Sequence, residues 1–329
     1  MAEKIPLSIV VTSHTVERLT DIFTLFDSIK AQTYHDIEVV FVIERSTELL
    51  EGLKDYTEKC GNYRINLLYS EKKLGLSAAR NLGMESAKGG IIAFVDDDVV
   101  LFPDWAQEMV DSYVDDSIIG VTGPGLPLWE DESLNWLPEE FYWIVSCTAF
   151  VKWDEKRPVR SAWGMNMSFR KEAFEYCRFS SDFGQTTGHK EAWKAGPVDD
   201  AEFSINLRLK TGKSIIYNPK VRVQHRVYNY RLSKKFIRGQ CYWQGYTKAL
   251  LRKKYKQDSD TRALVRERDL LQRILFRMAP HIALQFFSRP KLALKKFTLS
   301  TTVLFYVALG YTAVTCPWLT GFTKKRFSS

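Results

Sequence analysis

The stretch Ile91-Ile92-Ala93-Phe94-Val95-Asp96-Asp97-Asp98 decides the fold. Five apolar residues in a row, without the alternation of a half-exposed strand, predict a strand buried on both faces, as in a parallel sheet covered by helices. The carboxylates that follow stand where the carboxyl end of such a strand opens onto a ligand crevice. While strand geometry lasts, Asp96 and Asp98 share an orientation. Carboxylates this close repel one another unless a cation lies between them. A hard divalent ion with oxygen ligands, manganese or magnesium, relieves that repulsion and can bridge a diphosphate. The plainer reading of an Asp triplet is a solvated turn or a helix start receiving negative charge, and its place at a buried-type strand end argues against it.

Outward from this strand the pattern repeats. Apolar runs at 7–11, 37–43, 65–69 and 91–95 alternate with helix-period segments at 17–31, 48–59 and 77–87, which predicts an α/β fold with a mostly parallel sheet. The runs end in polar residues, Thr12-Ser13-His14, Glu44-Arg45-Ser46 and the Asp triplet, so three strand ends point to one pocket. Between them, Gly75-Leu76-Ser77-Ala78-Ala79-Arg80-Asn81-Leu82-Gly83 joins a glycine turn to a helix start that can hold an anion through its free N–H groups. Arg80 can reach a diphosphate there or pair with the carboxylates. The segment has neither a Gly-Lys-Ser/Thr phosphate loop nor a complete G-x-G-x-x-G signature, against a P-loop ATPase or a dinucleotide oxidoreductase. From 120 to 163 the rhythm breaks into Gly, Pro and Trp, which reads as loop and rim. It resumes with a strand at 166–170, a helix at 199–210 and strands at 214–217 and 221–225.

With 329 residues and 45% hydrophobic content, the chain can hold one large domain and a smaller appendage. Its 47 Lys and Arg against 39 Asp and Glu give a net charge of +8, concentrated in the C-terminal part while acidic residues cluster earlier. That separation suits an anionic membrane or phosphorylated substrates, and is not a nucleic-acid stripe. Cys60, Cys147, Cys177, Cys241 and Cys316 form no C-x-x-C pair, so no disulfide framework or zinc site is expected, and a reducing compartment is the simpler setting. The first apolar run reads as a strand rather than a signal peptide.

The C-terminal region differs. Residues 297–319 carry no charge and lie between Lys295-Lys296 and Lys324-Lys325-Arg326, a candidate for a transmembrane or membrane-embedded helix, with a buried or interfacial helix as the alternative. Upstream, 270–287 mixes apolar residues with Arg273 and Arg277, as in an amphipathic helix on a membrane surface or one packed on the catalytic domain. One span would put the basic tail opposite the catalytic domain, against the positive-inside tendency; a re-entrant hairpin or second segment would resolve this.

Taken together, the opening strand, the strand-end polar residues, the Ala-Arg-Asn-x-Gly element and the Asp triplet resemble family 2 glycosyltransferases. So do Trp163-Gly164-Met165-Asn166, Val198-Asp199-Asp200-Ala201-Glu202-Phe203, and Tyr217-Asn218-Pro219 followed by His225. The resemblance covers residues 5–230 and implies a GT-A fold. It also implies an inverting, metal-dependent transfer from a nucleoside-diphosphate sugar. By resemblance Asp98 is the direct metal ligand, Asp96 contacts the ribose or the metal, and His225 helps hold diphosphate or metal. Thr12, Ser13, Glu44, Arg80 and Asp97 join Asp96 around the nucleotide sugar. Asp200 is the expected general base, with Asp199 where Glu is customary. A carboxylate beside the pocket can take the acceptor's proton, though an Asp pair at a helix start can also be a cap. Ile43-Glu44-Arg45 replaces the usual Asp-Asp-Gly, which leaves the nucleobase open.

On the acceptor side the expected residues are Trp163, Gly164, Asn166, Arg238, Gln240 and Trp243. Gln240-Cys241-Tyr242-Trp243 lacks the Gln-x-x-Arg-Trp form of processive synthases, which favours a single addition. The block 231–254 is similar to archaeal dolichyl-phosphate-linked glycosyltransferases of the glucuronosyltransferase type, where Arg and Lys beside aromatics can grip a lipid phosphate. The expected organisation is a catalytic domain at 1–230, a basic amphipathic helical region at 231–296 and a membrane helix with basic tail at 297–329. The expected partners are a UDP-sugar, with GDP-mannose as the other candidate, and a polyprenyl or dolichyl phosphate acceptor. The reaction is expected at the cytoplasmic face of the cell membrane, with no nucleic acid involved. A non-lipid polysaccharide acceptor and a non-catalytic sugar-nucleotide-binding scaffold are the rival readings.

Overall fold

Strands and helices alternate in the computed structural model, which describes residues 5–59, 64–180, 199–255 and 265–316, with the side chains of 265–268 left aside. The first half runs β1 (Leu7–Ser13), α1 (Leu19–Lys30), β2 (Ile37–Glu44), α2 (Thr47–Lys59), β3 (Ile65–Ser70), α3 (Leu76–Ser86) and β4 (Ile91–Asp96). There follow β5 (Val99–Leu101), α4 (Trp105–Val110), β6 (Ile118–Thr122), β7 (Gly125–Trp129), β8 (Arg157–Val159), β9 (Asn166–Arg170), α5 (Ala173–Tyr176), α6 (Asp199–Thr211), β10 (Ser214–Tyr217) and β11 (Val223–Val227). Cys60 lies outside the described residues.

An eight-stranded sheet takes the order β3-β2-β1-β4-β9-β6-β10-β8, and a three-stranded one the order β5-β11-β7. Pairing is parallel across β3, β2, β1 and β4 and again between β6 and β10, while β9 runs antiparallel to both its neighbours. The apolar runs of β1, β2 and β4 are buried almost throughout, as strands covered on both faces must be. Chain order reverses between β1 and β4: the chain winds outward from β1 to β3 and returns through α3 to lie on the other side of β1. The carboxyl ends of β1 and β4 are therefore the switch point at which open α/β sheets bind ligands. Register places Thr12 opposite Asp96 there. The smaller sheet sets His225 opposite Val99, one residue beyond the Asp triplet.

The chain divides into two compact units. Among described residues, the first takes 5–128, 152–180 and 199–226, and the second takes 129–151 and 227–316. Residues 129–151, read from sequence as rim, thus group with the C-terminal helices.

In the second unit α7 (Lys234–Lys254) packs along α10 (Pro290–Thr315), joined through α8 (Val265–Arg273), a π-helical turn (Ile274–Met278) and α9 (Ala279–Ser288). The two long helices cross backbone to backbone. A methyl group at Gly245 would stand 2.0 Å from the Val307 carbonyl oxygen, and one at Gly310 would stand 1.9 Å from that of Tyr242. α10 starts at Pro290, ahead of the expected 297, because proline fits a helix's first turn. Residues 317–329 lie outside the described region. Among described residues, α10 is the one helix long and apolar enough to cross a membrane.

Candidate active site

The crevice at the β1 and β4 ends collects most of the expected residues. Asp96 closes β4, the chain turns through Asp97 and Asp98 into β5, and β11 lies against β5. One ligand atom from each of Asp96, Asp98 and His225 lies within 4.8 Å of the others. His225 Nε2 is 3.1 Å from Asp98 Oδ1 and 3.9 Å from Asp96 Oδ2. Asp98 and His225 are buried, while Asp96 is more open. Two hard carboxylate oxygens with an imidazole nitrogen form a donor set that fits manganese or magnesium. Asp97 accepts from the Ser13 hydroxyl. Burial, reinforced by Asp98, pushes its carboxyl up to about 7 against the opposing effects of Arg18 and Ser13.

Arg80 occupies the centre. It lies on α3, which opens at Gly75 with φ 79°, a conformation that favours glycine. The Gly75 N–H donates to Glu44 Oε2 at 2.8 Å, so the buried Glu44 carboxylate holds the turn that launches α3. The Arg80 guanidinium reaches Asp199 Oδ2 at 2.8 Å, Asp96 Oδ1 at 3.6 Å and the Gly164 carbonyl at 3.2 Å. Burial disfavours its charge, but Asp199, Asp96 and Asp200 outweigh this and raise its pKa above the ordinary value. The expected pairing of Arg80 with carboxylates is thus present in the structure.

Asp199 and Asp200 begin α6 and have different surroundings. Asp199 is buried against Arg80 and accepts from Ser77 Oγ at 3.4 Å. Asp200 accepts from the backbone N–H groups of Gly164, at 2.8 Å, and Ala201, at 2.6 Å. Burial and the neighbouring Asp199 push the Asp200 carboxyl up to about 6, despite Arg80 and those two N–H groups. A carboxylate titrating near 6 is mostly ionised at neutral pH and basic enough to accept a proton.

The acceptor-side expectations divide. Gly164 links Arg80 and Asp200, and Trp163 forms an aromatic group with Trp153 and Tyr217, at ring separations of 6.4 and 5.8 Å. Asn166 is fully enclosed. Its amide accepts from Trp105 Nε1 at 2.9 Å and donates to the Val221 carbonyl at 2.7 Å, so it ties β9 to α4 and to the approach to β11. Arg238, Gln240 and Trp243 lie on α7 in the second unit, where Arg238 stands over the Tyr306 ring and Trp243 packs with Tyr242 and Tyr246.

Residues without a motif complete the site. Arg18 Nη1 lies 2.8 Å from Asp98 Oδ2 and 4.0 Å from Asp21 Oδ2, and Arg226 Nε lies 2.6 Å from Asp21 Oδ1. The nearest sequence signal is the place of Arg226 directly after His225.

The family model of glycosyl transferase family 2 matches residues 8–177. The chain is 30% identical over 255 residues to the glucosyl-dolichyl phosphate glucuronosyltransferase of Haloferax volcanii, covering 77% of this chain and 80% of that protein. Among solved structures it resembles a mannosyltransferase of Pyrobaculum calidifontis in complex with GDP-Man and Mn2+, at TM-score 0.63 and 16% identity, over 96% of this chain and 88% of that one. A second, GalNAc-T7 with UDP, GalNAc and Mn2+, aligns at TM-score 0.52 and 15% identity, over 76% of this chain and 51% of that one. The two structural likenesses support the GT-A architecture, the match with the Haloferax protein spans most of both chains, and the family model takes in more than half of this sequence: the chain belongs to glycosyl transferase family 2.

Proposed function

We propose that the protein transfers one sugar, with inversion, from a nucleoside-diphosphate donor to a polyprenyl- or dolichyl-phosphate-linked acceptor at the cytoplasmic face of the membrane. The observation that carries this reading is the Arg80 bridge. A single guanidinium touches both Asp96 of the Asp-Asp-His cluster and Asp199 beside the candidate base, so the leaving-group end and the proton-accepting end belong to one pocket. Asp96, Asp98 and His225 would hold Mn2+ or Mg2+, which when bound neutralises charge on the departing diphosphate. Asp200 takes the proton of an acceptor hydroxyl as its oxygen bonds to the anomeric carbon. In the same displacement the bond from that carbon to the phosphate oxygen breaks, and the nucleoside diphosphate leaves with the electron pair. No covalent nucleophile is required.

A base is useful only to an acceptor that carries a proton. A bare phosphate at neutral pH offers an ionised oxygen, so Asp200 favours a hydroxyl on an already glycosylated lipid over the lipid phosphate itself. The name of the Haloferax relative, in which the dolichyl phosphate already bears glucose, agrees with this. Membrane association is supported by α10 and by the apolar side chains exposed on the second unit, with Phe276 79% and Phe287 91% exposed. A UDP-sugar is the preferred donor, and GDP-mannose belongs in the same test because the Pyrobaculum structure holds it.

The test is release of nucleoside diphosphate across a donor panel, with Mn2+ or EDTA, against polyprenyl phosphate, glycosylated polyprenyl phosphate and free glycans. Turnover with one donor, metal and the glycosylated lipid supports the reading. Turnover with free glycans alone moves the acceptor to a polysaccharide, and no turnover with any combination removes the enzymatic reading.

A further inference from the structure

Arg18, to which no sequence motif drew attention, belongs to a chain of charged residues around the Asp-Asp-His cluster. From β11, the Arg226 guanidinium pairs with Asp21 at 2.6 Å, and Asp21 faces Arg18 at 4.0 Å. Arg18 holds Asp98 Oδ2 at 2.8 Å, and Asp98 Oδ1 faces His225 Nε2 at 3.1 Å, one residue from the start. The Arg226 backbone N–H also donates to the Asp98 carbonyl at 3.0 Å. The two oxygens of Asp98 thus meet different partners: Oδ2 lies against Arg18 and Oδ1 against His225.

We infer that Arg18 is a positioning residue that fixes the orientation in which Asp98 would meet a divalent cation, with Arg226 and Asp21 holding Arg18 in place. The inference rests on the metal reading proposed above. Its physical basis is that partners behind a ligand fix its orientation and are worth as much as tenfold or more in metal affinity. Two effects of removing Arg18 have opposite signs. Loss of a positive charge beside the ion tightens binding by simple electrostatics. Loss of orientation lets the Asp98 carboxylate rotate away, which weakens binding. Orientation outweighs charge here.

The experiment is titration of Mn2+ alone, read by the electron paramagnetic resonance of the free ion, on the full-length wild type, Arg18→Gln and Arg226→Gln. Far-UV circular dichroism and thermal unfolding report on the fold. Both variants remove a positive charge, so both should bind more tightly if charge alone mattered. The expected result is about tenfold weaker Mn2+ binding in Arg18→Gln and a smaller loss in the same direction in Arg226→Gln. Should Arg18→Gln not fold, the direction seen in Arg226→Gln decides. Unchanged or tighter binding in a folded variant, with the wild type binding Mn2+, overturns the positioning role alone. A wild type that binds no Mn2+ overturns the metal site and this inference with it.

Discussion

Asp200 and Asp199 are neighbours of one chemical type, and their environments give them different work. Asp199 neutralises Arg80, whereas Asp200 is held by two backbone N–H groups with its carboxyl raised to about 6. Asp200→Asn should lower kcat about a hundredfold to ten-thousandfold, the usual value of a positioned base, while nucleotide-sugar affinity measured by calorimetry stays near wild type. A base must be ionised to act, so a raised pKa puts the loss of activity on the acid side. The kcat against pH profile should fall as pH drops through about 6. A profile flat from pH 5 to 8 (about the range that brackets this titration) would contradict the assignment. Arg80→Gln takes the guanidinium away from Asp199, its buried partner, and from Asp96. It should cost about 3–5 kcal/mol of stability, as breaking a buried ion pair does, read by denaturant unfolding of the purified protein.

At the scale of elements, the strands were the most legible part of the sequence, because a strand buried on both faces must be apolar throughout. The run 91–95 announced the sheet, its carboxylates supply two members of the Asp-Asp-His cluster, and the β1–β4 adjacency puts them at the switch point. Two things were not legible. The charge ring Arg18–Asp21–Arg226–Asp98 joins residues scattered across the first unit, and nothing local in an Arg or an Asp says which distant partner it will meet. The α7–α10 crossing was also silent, since Gly245 and Gly310 resemble tolerated helix glycines until the opposing backbone is in view. Gly310→Leu should force the two helices apart, costing about 2–3 kcal/mol, an overpacking penalty. The check is the melting temperature of the protein in detergent. A variant that melts like wild type would mean that the crossing does not hold the helical unit together.

For the whole molecule, charge and apolarity are distributed in a way that suits a membrane enzyme. Lys and Arg, which give the chain its net charge of +8, are concentrated in the C-terminal part, where α10 and the exposed Leu271, Leu275, Phe276, Leu284 and Phe287 also lie. Basic residues draw such a region to anionic lipid, and apolar insertion, which salt does not screen, keeps it there. The full-length protein, reconstituted from detergent, should float with anionic vesicles and remain with them at about 1 M salt, where surface charges are screened within a few ångströms. Release by salt alone would mean peripheral attachment through charge. The measurement that bears most directly on the central claim is sugar transfer from the nucleoside-diphosphate donor panel to glycosylated polyprenyl phosphate, with Mn2+ and with EDTA, for wild type and Asp200→Asn. The expected result is use of one donor, a lipid product in wild type with Mn2+, and loss of that product with EDTA and in the variant. Equal product in Asp200→Asn, or full activity in EDTA, would contradict it.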